Sequence, residues 1–264
     1  MRTSFGPLLG LALALSATPA FAEEDSKAIT VSGSATLVSD YRFRGISQTD
    51  KDFAVQGGIT VSHESGLYAS VWGSSIDDYI AAGSDQELDL IVGYKKTIGA
   101  ATVDVGALYY YYPGAEKIVP GYNSDFLELY GNVSAPVGPV TAKAAVMYAP
   151  KSAALSLGGG KLDNFYGNFS LSGSIPDTGV GFSAGIGRTF TKSFLSGGKK
   201  YTDWSLGMTY TTGPVTLGVT YVDTSYAKNA DQPDGQGHCQ GGRVRLDRRR
   251  VLIRLRGWPQ PAVA

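Results

Sequence analysis

The chain has 264 residues, of which only 17% are charged; it holds 35 Gly, 16 Tyr and 10 Phe, and its formal net charge is zero. That zero is uneven: residues 23–236 carry 15 basic and 22 acidic side chains, a net charge of −7 that argues against a nucleic-acid partner, whereas seven arginines fall between Arg243 and Arg256. A lone cysteine, Cys239, excludes a disulfide framework, and with two histidines it excludes a Cys/His metal site of the usual spacing, so no metal or cofactor is expected.

The first element is an export leader over residues 1–22. Arg2 gives a positive start, residues 5–17 form an apolar run, and Ala20-Phe21-Ala22 is a small-x-small cleavage site, so the mature chain is expected to begin at Glu23. The run is too short to anchor in a bilayer. No later apolar run approaches the roughly 18–20 residues of a spanning helix. The body is therefore either a secreted all-β protein or a β-barrel. Its Tyr, Phe and Gly content suits strands and tight turns.

Strict alternation begins at once. Ile29, Val31, Gly33, Ala35, Leu37, Tyr41 and Phe43 share one face; Thr30, Ser32, Ser34, Thr36, Asp40, Arg42 and Arg44 share the other. An apolar face of this length exceeds the about 5–6 residues of a soluble strand and meets the about 9–11 of a tilted transmembrane strand. Ten further apolar faces follow, over residues 53–61, 67–73, 88–94, 101–111, 127–133, 142–148, 165–171, 180–186, 204–210 and 215–221. Short connections (63–66, 97–100, 136–139, 176–179 and 211–214) alternate with long ones (45–52, 74–86, 113–124, 150–163 and 191–200). Short periplasmic turns and long extracellular loops are the rhythm of outer-membrane barrels. The expected fold is all-β: a single antiparallel up-and-down transmembrane β-barrel, with eleven strands recognisable and twelve needed for an even count.

A periplasmic N-terminus sets the orientation. The apolar-face aromatics Tyr41, Phe43, Phe53, Tyr109, Tyr111, Tyr148, Trp204 and Tyr221 then collect at the outer rim and Tyr94 and Tyr210 at the periplasmic rim, as two girdles at the headgroups. The polar faces line a lumen: Asp40, Arg42, Arg44, Glu87, Asp89, Glu128 and Asp203 in the outer half, Asp104 and Lys143 in the periplasmic half. Mixed charges in a narrow pore orient and select hydrated solutes. Arg42 and Arg44 either oppose acidic residues at a constriction, line the lumen as ordinary solvated residues, or plug it through salt bridges.

An enzyme is disfavoured. His63, the histidine of the body, falls at a periplasmic turn, so a serine at the outer rim lacks its base. The pair Glu87 and Asp89 is explained by a polar lumen. The runs Gly158-Gly159-Gly160-Lys161 and Gly197-Gly198-Lys199 lack phosphate-loop spacing and read as extracellular loops. The expected function is an outer-membrane channel for passive diffusion of small hydrophilic solutes or ions. A non-conducting structural or adhesive barrel is the alternative. Expected partners are outer-membrane lipids and lipopolysaccharide, with periplasmic chaperones and the barrel-assembly machinery during biogenesis.

The run Ser39-Asp40-Tyr41-Arg42-Phe43-Arg44-Gly45-Ile46-Ser47-Gln48 resembles the opening signature of the TorF family of porin-like proteins. Phe53-Ala54-Val55-Gln56-Gly57-Gly58 and the stretch 65–75 resemble its continuation. The likeness covers about 31–234. It implies a Gram-negative outer-membrane channel of undefined solute, no catalytic residues, and a twelfth strand ending in an aromatic residue read by the assembly machinery.

The end of the chain breaks the pattern. Residues 237–264 hold seven arginines, where residues 23–236 hold three, and Pro259 and Pro261 would interrupt a ladder. The tail is expected to be an out-of-frame replacement of the closing strand, from a frameshift near residues 234–237, rather than a basic arm for nucleic acid or anionic lipid.

Overall fold

The alternating segments form ladders because each pairs with its sequence neighbour through a short turn or a longer loop, burying one face and leaving the other outside. The computed structural model describes residues 28–115 and 123–226 and the backbone of Val251–Leu255. The leader and the rest of the tail, residues 237–250 and 256–264, lie outside the described residues.

The strands are β1 (Ile29–Val38), β2 (Arg42–Phe43), β3 (Ile46–Ser47), β4 (Ala54–His63), β5 (Leu67–Ser75), β6 (Gln86–Ile98), β7 (Ala101–Tyr111), β8 (Phe126–Val137), β9 (Val140–Ser152), β10 (Leu162–Ser174), β11 (Val180–Thr189), β12 (Thr202–Thr212), β13 (Val215–Thr224) and β14 (Val251–Leu255). All except β2 and β3 join one closed antiparallel barrel in the order β1-β14-β13-β12-β11-β10-β9-β8-β7-β6-β5-β4. The barrel thus has twelve strands among the described residues, and the fold is the up-and-down antiparallel barrel that the alternation predicts.

The sequence pattern shows eleven strands and none after Gln236; in the structure Val251–Leu255 pairs with both β1 and β13. The run Val251-Leu252-Ile253 has high strand propensity and no proline, and two unpaired edges accept it. The seam is short on one side. Pairing of β1 with β4 runs from Ile29 opposite His63 to Val38 opposite Ala54, whereas β14 meets only Thr36, Leu37 and Val38 of β1.

The two barrel faces differ in chemistry. Val31, Val55, Ile59, Val92, Leu206 and Met208 are exposed on the outside. The inside buries Thr60, Ser70, Glu87, Asp89, Asp104 and Glu128 together with Tyr110, Tyr130 and Tyr166. At the turn end the connections are 64–66, 99–100, 138–139, 175–179 and 213–214. At the other end the long loops fold over the mouth: Ile76, Ala81, Ala115, Ala154 and Leu155 are all buried there. The loop holding the second glycine run is ordered by local contacts: Gly197 ends the 3-10 turn Phe194–Ser196 and its carbonyl accepts the Tyr226 hydroxyl.

Candidate functional site in the barrel lumen

At Ser39 the chain leaves the ladder. Val38 opposite Ala54 is the last pair between β1 and β4; the chain then turns inward, with β2 and β3 paired as a hairpin, and residues 50–53 return to the surface before β4. The Asp40 carboxylate organises its base: Arg42 Nε donates to Oδ2 at 2.7 Å, and the Ser47 hydroxyl donates to Oδ1. The Gln48 N–H donates to the Tyr41 carbonyl at 2.7 Å, and the Tyr41 N–H to Thr49 Oγ1 at 3.2 Å. At the tip, Arg44 (φ 47°) and Gly45 (φ 81°) are left-handed. Gly45 tolerates this freely, and a Cβ there would strike Thr224 and Asp203 of the wall.

The tip is held by one side chain above all. Arg44, 2% exposed, donates from Nη2 to Glu128 Oε1 at 2.6 Å and from Nη1 to Asn164 Oδ1 at 2.8 Å. Its guanidinium lies 4.4 Å from the Tyr166 ring centre and 4.6 Å from that of Phe43. The Tyr201 hydroxyl donates to the Arg44 carbonyl at 3.0 Å. Both wall residues are themselves fixed. Tyr110 donates to the other Glu128 oxygen at 3.2 Å, and the Asn164 amide nitrogen donates to Ser193 Oγ at 2.8 Å. The bond to Glu128 is a single charge-assisted one, stronger than a neutral hydrogen bond, and the bond to Asn164 fixes the plane of the guanidinium.

Aromatic packing seats the hairpin against β5–β8. Phe43 meets Tyr110 edge-on with ring centres 6.0 Å apart, and Tyr110 stacks on Phe126 at 4.3 Å. Tyr41 packs edge-on against Trp72 at 5.6 Å and donates its hydroxyl to Glu87 Oε1 at 3.0 Å. Burial, with Glu87 and Asp89 nearby, pushes the Tyr41 phenol well above its ordinary pKa, so it remains a donor to Glu87.

The expected site residues fall in three groups. Asp40, Arg42 and Arg44 are inside the lumen, carried by the hairpin and not by the wall. Glu87, Asp89, Glu128 and Asp203 face them from β6, β8 and β12. Asp203 accepts the Tyr166 hydroxyl at 3.1 Å, while neither oxygen of the buried Asp89 has a hydrogen-bond partner among the described residues. Asp104 and Lys143 lie apart, towards the turn end. There Asp104 accepts from Tyr68 at 2.8 Å and lies 3.9 Å from Lys95.

Two girdle assignments are corrected: Tyr41 and Phe43 are buried inside the barrel. Alternation tells which residues share a face only while the segment stays on the ladder, and theirs departs at Ser39. The remaining aromatics Phe53, Tyr94, Tyr109, Tyr111, Tyr148, Trp204, Tyr210 and Tyr221 are exposed or half-exposed. Tyr109 reaches Asp125 at 3.3 Å and Tyr221 reaches Asp223 at 3.2 Å, both near the loop end of their strands.

The sequence reading missed Tyr110, Asn164, Tyr166 and Tyr201. The first three sit at inward positions of strands whose outward residues were recognised, so the same alternation contained them; Tyr201 lies in a loop and carried no signal. Tyr166 also depends on a gap in the wall, because a Cβ on Gly187 would overlap its hydroxyl. Gly187→Ala should therefore displace Tyr166 from the guanidinium. Overpacking of this sort costs about 1–3 kcal/mol, so the urea midpoint of the folded barrel should fall; an unchanged midpoint would mean that Tyr166 moves without cost.

Among solved structures, the NanC porin is 12% identical, with 85% of this chain and 96% of that chain covered and a TM-score of 0.46. OccAB3 of Acinetobacter baumannii is 10% identical, covering 86% and 64%, with a TM-score of 0.41. The outer-membrane protein OpdK of Pseudomonas aeruginosa is 12% identical, covering 88% and 66%, with a TM-score of 0.40. Likeness this remote bears on neither solute nor site. No curated protein matches the sequence. The family model described as "Bacterial protein of unknown function (Gcw_chp)" matches residues 22–240.

Proposed function

We propose, for this chain, which belongs to the Gcw_chp family of bacterial proteins of unknown function, the role of a porin-like channel in the outer membrane of a Gram-negative bacterium. The observation that carries this reading is the inversion of the two faces. A closed barrel leaves Val, Ile, Leu, Phe and Met side chains exposed all round its outside and turns its carboxylates inward. An apolar belt that wide suits hydrocarbon and is foreign to a soluble monomer. The leader-like segment 1–22 and the likeness of residues 39–48 to the TorF signature agree with it. Outer-membrane lipid and lipopolysaccharide would surround the barrel, and periplasmic chaperones and the barrel-assembly machinery would deliver it.

Solute passage is passive on this reading, and the hairpin narrows the path. Proteoliposomes of the purified full-length chain, moved into an isosmotic pentose solution, should swell faster than protein-free vesicles. Swelling at the protein-free rate from a folded barrel would count against a channel. The second reading, a non-conducting structural barrel, is favoured by the same Arg44–Glu128 contact, since a hairpin anchored that firmly also suits a permanent plug. Residues 237–264 enter the proposal as an out-of-frame replacement of the natural closing strand. Sequencing the locus and finding an alternating strand in another frame would support this; a confirmed frame with none would reject it.

A further inference from the structure

The cradle that holds Arg44 is built by the barrel wall and does not depend on the hairpin. Glu128 stands on β8, oriented by Tyr110. Asn164 stands on β10, and its amide nitrogen is engaged by Ser193, so that its carbonyl oxygen is the atom left to accept. Tyr166, two residues further along β10, turns its ring face to the same point and has its hydroxyl tied to Asp203. A carboxylate, an oriented amide oxygen and an aromatic face converging on one position make a recognition set for a flat cation. The group now in the cradle fits imperfectly: Arg44 is attached to a left-handed turn, and its buried Nε–H finds no acceptor among the described residues.

We propose that the Glu128–Asn164–Tyr166 cradle is a binding subsite for guanidinium-bearing solutes, occupied at rest by Arg44 of the chain's own hairpin as a tethered stand-in. A solute guanidinium takes the place of Arg44, the hairpin loses its anchor, and the path past the tip widens. The inference deepens the channel reading and rests on it for the word solute, but the binding step stands alone and is measured without any current. An internal ligand at high effective concentration masks the site in the resting protein, so the site should become measurable when the tether is cut.

The test is calorimetric titration of methylguanidinium into detergent-solubilised, heat-modifiable full-length barrel. Arg44→Ala should bind it at least tenfold more tightly than the unaltered chain and more tightly than it binds tetramethylammonium, which has a charge but no N–H donors. The double variant R44A/E128Q, if it retains heat-modifiable migration, should lose that gain. Equal affinity of R44A and the unaltered chain, equal affinity for the two cations, or a gain that survives E128Q would each overturn the proposal. Tight, Glu128-dependent binding in a barrel that passes no current would keep the subsite and remove the channel.

Discussion

Replacing Arg44 by alanine is expected to widen the conducting path more than any other single change in the lumen. The guanidinium is the hairpin's buried ionic anchor on the wall, with Glu128 at 2.6 Å and Asn164 at 2.8 Å. Removing one partner of a buried charge pair costs about 3–5 kcal/mol. At about 1.4 kcal/mol per tenfold, that shifts the balance between seated and released hairpin by two or more powers of ten. Planar-bilayer recordings of R44A should show larger unitary steps or much longer open dwells than the unaltered chain. Tyr201→Phe removes one neutral hydrogen bond to the Arg44 carbonyl, worth about 1 kcal/mol, and should change the dwells far less. The double variant R42A/R44A should also move the reversal potential towards cations, because two positive charges leave the path and Glu128 loses its partner. An R44A channel with unaltered steps and dwells would mean that the hairpin is seated by its aromatics alone.

Replacing residues 237–264 by a ten-residue alternating strand that ends in phenylalanine is expected to raise the yield of folded barrel sharply. The strands β4–β13 have 9 to 13 residues, whereas β14 has 5. Among the described residues, positions 29–35 of β1 have no partner on the β14 side. Each backbone group left unpaired in hydrocarbon costs several kcal/mol, so a longer closing strand should stabilise assembly strongly. The readout is the heat-modifiable fraction after refolding into vesicles. If the unaltered chain gives the same fraction, the short seam is sufficient and the out-of-frame interpretation of the tail loses its physical motive.

The wall of the barrel was legible because its signal is repeated. Eleven apolar faces at period two, separated by turns that alternate in length, leave little freedom, and strands such as Gln86–Ile98 appear where Leu88, Leu90, Val92 and Tyr94 place them. The inward direction of Glu87, Asp89 and Glu128 follows from the same period. The hairpin was not legible, for a specific reason. Tyr41 and Phe43 continue the odd-numbered apolar series and Asp40, Arg42 and Arg44 the even-numbered polar one, so the pattern reads straight through the point where the ladder ends. What diverts the chain is the carboxylate of Asp40, which collects Arg42 and Ser47, together with the left-handed turn at Arg44 and Gly45. These are contacts within the hairpin, and period-two alternation does not encode them. The closing strand was missed for the opposite reason: Val251–Leu255 is too short to register as a pattern and becomes a strand only because two edges are waiting for it.

The central claim is that the barrel conducts, and single-channel recording of the purified full-length chain in planar bilayers tests it most directly. The account predicts discrete current steps that are small in the unaltered protein and grow when Arg44 is removed. Silence from both proteins, each shown to be folded by heat-modifiable migration, would contradict it and leave a closed structural barrel.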